Sequence, residues 1–365
     1  MKIFFEKRRK TFFTILCLVL AITIKVISFF PEWVEKYYSN GVYIYISKIL
    51  HFSLGWLPFS IGDLLYLLLI GYLIYQMIKL VKNFRKLFSP KNIKRAFVKI
   101  LFIGLMVYVV FYGFWGLNYS RIGISGQLNL DNQNYSVQDL DTLVALLQKK
   151  LNTNASLLTP AMRDSFRRNR QLFDGATRAY QLAAKQYPFL KYKAASVKPS
   201  VFSYLFNYTG YQGYYNPFTG EAQVNTTIPQ CVEPFVASHE IAHQLGYAKE
   251  SEANFVGYLV SSKHPSVNFR YSVYFDMYNY SIGELYYADS AKVKNYNGAL
   301  HPQVIKDIDD YRAFYERYKN PVEPLLKWVY SHFLMFNNQP SGMESYSEVT
   351  RWLIAYYKKY GKEAI

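Results

Sequence analysis

Long apolar runs dominate the first third of the chain, over residues 11–30, 64–81 and 100–117, each near the roughly 20 residues that cross a hydrocarbon core. They predict three spanning helices. Lys25 interrupts the first run close to its end, where a lysine can snorkel to the interface. The bulky Phe29-Phe30-Pro31-Glu32-Trp33 immediately after it offers no small-residue cleavage site, so the run reads as an anchor rather than a removed signal sequence. From Tyr119 onward the spacing of apolar residues is that of a soluble, mainly helical domain. Val137, Leu140, Val144, Leu147 and Leu151 form one stripe, opened by Ser136-Val137-Gln138-Asp139 in the manner of a capping box. Helical spacing recurs over 160–186, 303–318 and 347–360, and a tyrosine-rich segment covers 271–287. Between 204 and 229 Tyr, Gly and Asn break the helical period; Asn216-Pro217-Phe218-Thr219-Gly220 reads as a turn and residues 221–227 as a strand. The expected architecture is mainly α with a small β-sheet (α+β), with a membrane anchor over 1–118 and a globular domain over 119–365.

Composition agrees with lipid contact, since 51% of residues are hydrophobic and 19% aromatic. The net charge of +17 is not a nucleic-acid signal, because of where it sits. Residues 79–99 hold eight basic groups and no acid, and the first ten residues add five against Glu6; twelve of the 17 net charges thus flank the apolar runs. The positive-inside rule places the amino terminus and the 79–99 loop in the cytoplasm and everything after the third span outside. Segment 31–58, with Trp33, Tyr37, Tyr38, Tyr43, Tyr45 and Trp56, then forms an aromatic belt on the outer face. Cys17 and Cys231 are too few for a disulfide scaffold or thiolate ligation, and Cys231 reads as a packed core residue. Arg163, Arg167, Arg168 and Arg170 read as a solvated basic face.

Chemistry enters with Ser238-His239-Glu240-Ile241-Ala242-His243-Gln244-Leu245-Gly246. On a helix, His239 and His243 lie about 40° apart and can reach a single ion, while Glu240, about 100° round from His239, stands beside it. From there Glu240 can take a proton from a water that the ion polarises, which is general-base chemistry with a ready nucleophile. Pro234 and Glu233 suit the first turn of that helix and Gly246 its left-handed end, and Ile241 and Leu245 project away from the histidines into a core. The residues around His239 form no apolar run long enough to span, so cleavage within the membrane is not expected. His264, His301 and His332 read as structural or exposed.

A catalytic zinc ion needs a third protein ligand. The metzincin pattern would place a histidine at position 249, which is Lys249, so that class is excluded. The next segment, Glu250-Ser251-Glu252-Ala253-Asn254, resembles the gluzincin class, whose second helix carries Glu-x-x-Ala-Asp. The resemblance implies Zn2+ held by His239, His243 and Glu250, with Asn254 in place of the usual Asp supporting a ligand histidine. Glu250 and Asn254 are four residues apart and so share one helix face. Asn254 can still accept an imidazole N–H, though it raises ligand basicity less than a carboxylate. Glu252 is the alternative ligand. The zincin architecture that the resemblance brings also implies a substrate-binding edge strand before the metal helix, here Ala222, Gln223, Val224 and Asn225.

Three amino-terminal spans, Pro58-Phe59-Ser60-Ile61-Gly62-Asp63, Gly116-Leu117-Asn118-Tyr119, Gln339-Pro340-Ser341-Gly342 and Ser345-Tyr346 together resemble an uncharacterised bacterial membrane protein family, a domain of unknown function. The resemblance implies a multi-pass protein of the bacterial cytoplasmic (inner) membrane with its carboxy-terminal domain extracytoplasmic. The expected activity is that of a zinc metallopeptidase acting on a peptide or envelope protein, with the lipid bilayer as its other partner. Two readings stand beside it: a non-catalytic zinc-containing envelope binding or sensor protein, and a cell-wall amide hydrolase.

Overall fold

The computed structural model describes residues 2–83, 90–130, 134–165 and 169–365 of the 365-residue chain. Its principal elements are α1 (Lys2–Ile27), α2 (Tyr43–Leu54), α3 (Ile61–Lys82), α4 (Pro90–Phe114), α5 (Val137–Leu157), α6 (Asn169–Ala183), β1 (Val197–Pro199), α7 (Ser203–Thr209), β2 (Gly213–Asn216), β3 (Glu221–Val224), α8 (Glu233–Gln244), α9 (Glu250–Ser261), α10 (Val267–Ala288), α11 (Pro302–Tyr318), α12 (Glu323–Phe336) and α13 (Val349–Tyr360). The fold is mainly helical with one three-stranded sheet, as the apolar spacing predicts.

Two helices, Ile61–Lys82 and Asn92–Phe114, are long and apolar enough to cross a membrane, and no part of either apolar window is buried by protein. A third passes only if Thr11–Ile27 and Pro31–Leu54, bent by 103° from each other, count as one span. The last predicted span ends early. Trp115 and Leu117, inside the apolar run, leave the helix and are buried with Tyr119, Tyr38, Tyr43 and Tyr215 in a small core between the amino-terminal helices and the sheet. Segment 31–54 divides likewise: Trp33, Tyr37 and Tyr45 are exposed, whereas Tyr38, Tyr43 and His51 pack inward. The side chains of the first ten residues, and Arg85 and Lys86 of the basic loop, lie outside the described residues.

In the globular body, Ser136 and Asp139 form the expected capping box at the start of α5. The stripe Leu140, Val144, Leu147 and Leu151 is buried against α10, whereas Val137 is exposed. The stretch expected as one helix over 160–186 is helical over Pro160–Ser165 and Asn169–Ala183; Arg167 and Arg168 lie outside the described residues. Arg163 is not a free surface charge. It meets Asp307 through two hydrogen bonds of 3.0 and 2.6 Å. Cys231 is buried and unpaired, as a core residue.

The sheet order is β1-β3-β2. β3 pairs in parallel with β1 (Val197↔Ala222, Pro199↔Val224) and antiparallel with β2 (Gly213↔Val224, Asn216↔Glu221). This corrects the edge-strand expectation for Ala222, Gln223, Val224 and Asn225. Ala222, Gln223 and Val224 form the inner strand with both sides paired, Asn225 N–H already donates to Gln212 O, and all four are buried. Residues 216–220 make the predicted turn, closed by Gly220 N–H to Asn216 O at 2.8 Å with Gly220 at φ +70°.

Candidate metal centre

The His-Glu-x-x-His segment lies on α8, every residue of which is buried. Pro234 occupies the first turn, and the helix ends in a Schellman motif: Tyr247 N–H donates to Ala242 O, Gly246 N–H donates to His243 O, and Gly246 sits at φ +83°. The last carbonyls of a helix have no partner within it. Here residues far earlier in the chain provide donors: Trp115 Nε1–H to His243 O (3.0 Å), Tyr43 O–H to Gln244 O (2.8 Å) and Arg121 Nη1–H to Gly246 O (3.2 Å). The Gln244 side chain ties the same end to the sheet region, donating to Ser196 O and Gly220 O. α8 is thus clamped between the amino-terminal segments and the sheet.

Three donor atoms converge. His239 Nε2 and His243 Nε2 are 3.1 Å apart, and Glu250 Oε2 lies 3.2 Å from the first and 3.5 Å from the second. Ligands about 2.0–2.1 Å from a tetrahedral ion are separated by roughly 3.3–3.4 Å, so the three edges match such a site. The opposite ring atoms settle the tautomers. His243 Nδ1 is 2.7 Å from Tyr247 O, which only accepts, and His239 Nδ1 is 2.7 Å from Asn254 Oδ1, whose amide nitrogen donates to Tyr346 O. Both Nδ1 atoms therefore carry the proton, and both Nε2 lone pairs point at the carboxylate. Two neutral imidazoles and an anion facing one another require a cation between them, which a metal ion or an added proton can provide.

Charge states are set by these neighbours. Burial alone would raise Glu250, but His243 and His239 hold it well below the usual carboxylate range. Burial would lower His243, but Glu250 and Glu240 raise it to about 9. Burial raises Glu240 to about 7 against the opposing pull of the two histidines. Glu250 is fixed on both sides, its N–H donating to Gln339 Oε1 (2.9 Å) and its Oε1 accepting from Tyr330 O–H (2.8 Å).

Among the described residues, His239, His243 and Glu250 are the group that can hold a metal ion. Asn254 stands behind His239, and Glu240 stands beside the cluster with Oε2 unpaired. Glu252 is not brought to it. Its carboxylate rests on Gly123, where an added Cβ would come within 2.3 Å of Oε1. A second glycine shapes the centre itself: a Cβ on Gly213 would meet Glu240 Oε1 at 2.6 Å. A cleft of about 640 Å3 opens over these groups, lined by His239, Glu240 and Asn254, by Gln212 and Gly213 of the β2 region, and by Tyr346. Tyr346 also stacks on His239, with ring centroids 6.3 Å apart.

Tyr330, Tyr346, Trp115 and Gly213 are not among the residues that spacing singles out. Tyrosine is common here, at 36 residues, so no tyrosine stands out from its background. For Gly213 the signal is a glycine opening a strand, which marks a close approach. His264 is buried, His301 caps α11 and His332 is exposed, none of them in the metal-binding group.

Comparison with curated proteins and with solved structures finds no match. One family does match, over residues 38–354, which include both the donors that clamp α8 and the candidate metal-binding group: the chain belongs to the family described as protein of unknown function (DUF3810).

Proposed function

We propose that this protein is a membrane-anchored, gluzincin-like zinc metallopeptidase that hydrolyses peptide bonds on the extracytoplasmic side of a bacterial inner membrane. The observation that carries the reading is the convergence of His239, His243 and Glu250 within 3.1–3.5 Å of one another, with Glu240 beside them at a cleft. Two imidazole nitrogens and one carboxylate oxygen at tetrahedral spacing favour zinc over harder ions. When bound, zinc supplies Lewis-acid polarisation of the attacking water and of the scissile carbonyl.

The chain's own groups do the rest. Glu240 accepts the water's proton and returns it to the leaving amine. Gly213 leaves room for that carboxylate, and Tyr330 and Gln339 keep Glu250 from turning away. β2, at the sheet edge beside the cleft, is the strand to which an extended peptide would add.

Purified full-length protein is expected to carry one equivalent of zinc. Glu240→Gln should keep the metal and lose turnover by about 10²–10⁴-fold, the usual contribution of a positioned base. Metal analysis showing no zinc, or full activity in Glu240→Gln, overturns the reading. A cellular phenotype kept by Glu240→Gln but lost by His239→Ala marks a non-catalytic envelope binding or sensor protein instead. Release of wall fragments rather than peptides marks a cell-wall amide hydrolase.

A further inference from the structure

Two helices beside the cleft carry large apolar side chains that are more than half exposed. On α7, Tyr204 is 64% and Leu205 54% exposed; on α12, Leu325, Trp328, Val329 and Phe336 are 60%, 60%, 51% and 74% exposed. α7 and α12 pack on each other, and Asn320, just before α12, donates to Tyr208 O of α7. The exposed residues therefore belong to one surface. A contiguous apolar surface of this kind marks a protein or membrane contact.

Its position identifies which. The chain entering α7 is tied to the first turn of the candidate span α3: Val201 N–H donates to Asp63 Oδ2 at 2.7 Å and Ser200 O–H to the same oxygen at 3.1 Å. The far end of α12 is tied to the last turn of the other candidate span, α4. Tyr112 O–H donates to Asn337 Oδ1 at 2.7 Å, and the Phe333 and Phe111 rings are 6.2 Å apart. The apolar surface thus bridges the domain-side ends of two helices whose own apolar windows are free of protein. Tied to both ends, it lies at the depth where hydrocarbon gives way to headgroups, which is where Trp and Tyr concentrate and where helices with one apolar face settle.

The same two helices wall the cleft. Thr209 and Gly210, at the end of α7, line it on one side, and Glu323, Lys327 and Tyr330 of α12 on the other. Gly210 faces the Glu323–Lys327 ion pair (2.7 Å) in the wall of the cleft. We infer that α7 and α12 form a platform seated in the lipid interface, so that the cleft receives its substrate from the membrane surface, as a polypeptide tethered to the bilayer. The substrate part rests on the peptidase reading; the seating of the platform does not.

Fluorescent labelling of single cysteines in the full-length chain in lipid nanodiscs, with Cys17→Ser and Cys231→Ala in the background, tests the seating. Probes at Leu205→Cys and Trp328→Cys are expected to be quenched several-fold more by a nitroxide lipid than a probe at Lys294→Cys. Lys294 is exposed on the Ser290–Gly298 helix, which packs on α10 and hydrogen-bonds to α5, and the lysine probe should respond instead to iodide in the water. Equal iodide access at all three positions overturns the inference. A peptide cleaved by the protein should then be cut at least about tenfold faster when it carries an acyl anchor in the same nanodisc than when it is free. Equal rates overturn the substrate assignment. Failure to cut either form, with the probes at 205 and 328 quenched by lipid, counts against the peptidase and leaves the platform standing.

Discussion

Glu250 and Glu252 stand two residues apart in the first turn of α9, both buried, each with one oxygen that no hydrogen bond satisfies. Their surroundings push their ionisation in opposite directions, Glu250 down and Glu252 up. Two residues along a helix turn a side chain through about 200°, so the two acids leave α9 in nearly opposite directions. Glu250 meets two imidazole Nε2 atoms, which hold it ionised when they carry positive charge, and a tyrosine hydroxyl. Glu252 meets Gly123 and the neighbourhood of Arg121, whose guanidinium is already committed to Glu35 through bonds of 2.8 and 2.6 Å. Burial raises Glu252, and Lys249 and Arg121 only partly offset it. Depth and residue type are the same for both; the company each side chain keeps decides which way its ionisation is pushed and whether it joins the metal-binding group.

The contrast breaks if the two acids matter equally to the metal. Glu250→Gln should weaken zinc binding on the order of 1000-fold or more, because an anionic ligand becomes a neutral amide. Glu252→Gln, which alters an acid lying outside the metal-binding group and resting on Gly123, should leave affinity within about twofold. Competition titration against a chelator of known affinity reads both. A smaller effect sharpens the other side of the contrast. Arg121→Leu strands the Glu35 carboxylate and removes the donor to Gly246 O, at a cost of about 3 kcal/mol, the low end for a broken buried pair because Glu35 keeps 14% exposure. Adding Glu35→Gln to that variant should recover part of the loss in denaturant unfolding, with zinc content unchanged throughout. A zinc loss in Arg121→Leu would mean that the two regions are one.

Local relations account for what is legible without coordinates. The His239–His243 pair, the Gly246 stop, the alignment of Glu250 with Asn254 and the Ser136–Asp139 box each depend on residues a few positions apart on one helix. Contacts closed over long separations leave no such trace: Tyr330 reaches Glu250 across 80 residues, and Asn254 reaches Tyr346 O across 92. β1 is three residues long, too short to alternate visibly, so its parallel pairing with β3 cannot be foreseen and the inner strand reads as an edge. Trp115 and Leu117 extend the third apolar run because hydropathy registers apolarity alone and cannot separate lipid from protein core.

A third buried acid tests the rule where neither histidine nor arginine is near. Glu233, in the first turn of α8, is 6% exposed, and burial alone raises it to about 8. Its folded-state pKa lies above the ordinary value of 4.5, so between those limits folding takes up a proton that the unfolded chain has released. The neutral acid's contribution is complete below pH about 4.5 and is lost as pH rises towards 8. Glu233→Gln, which cannot ionise, should therefore match the wild type in acid and become the more stable of the two near pH 8. The positive end of the α8 dipole opposes burial, which limits the gain to the order of 1–2 kcal/mol. Denaturant unfolding at pH 5 and pH 8 measures it. A gain that is the same at both values would tie the change to packing rather than charge, and the ionisation of Glu250 could then no longer be ascribed to company alone.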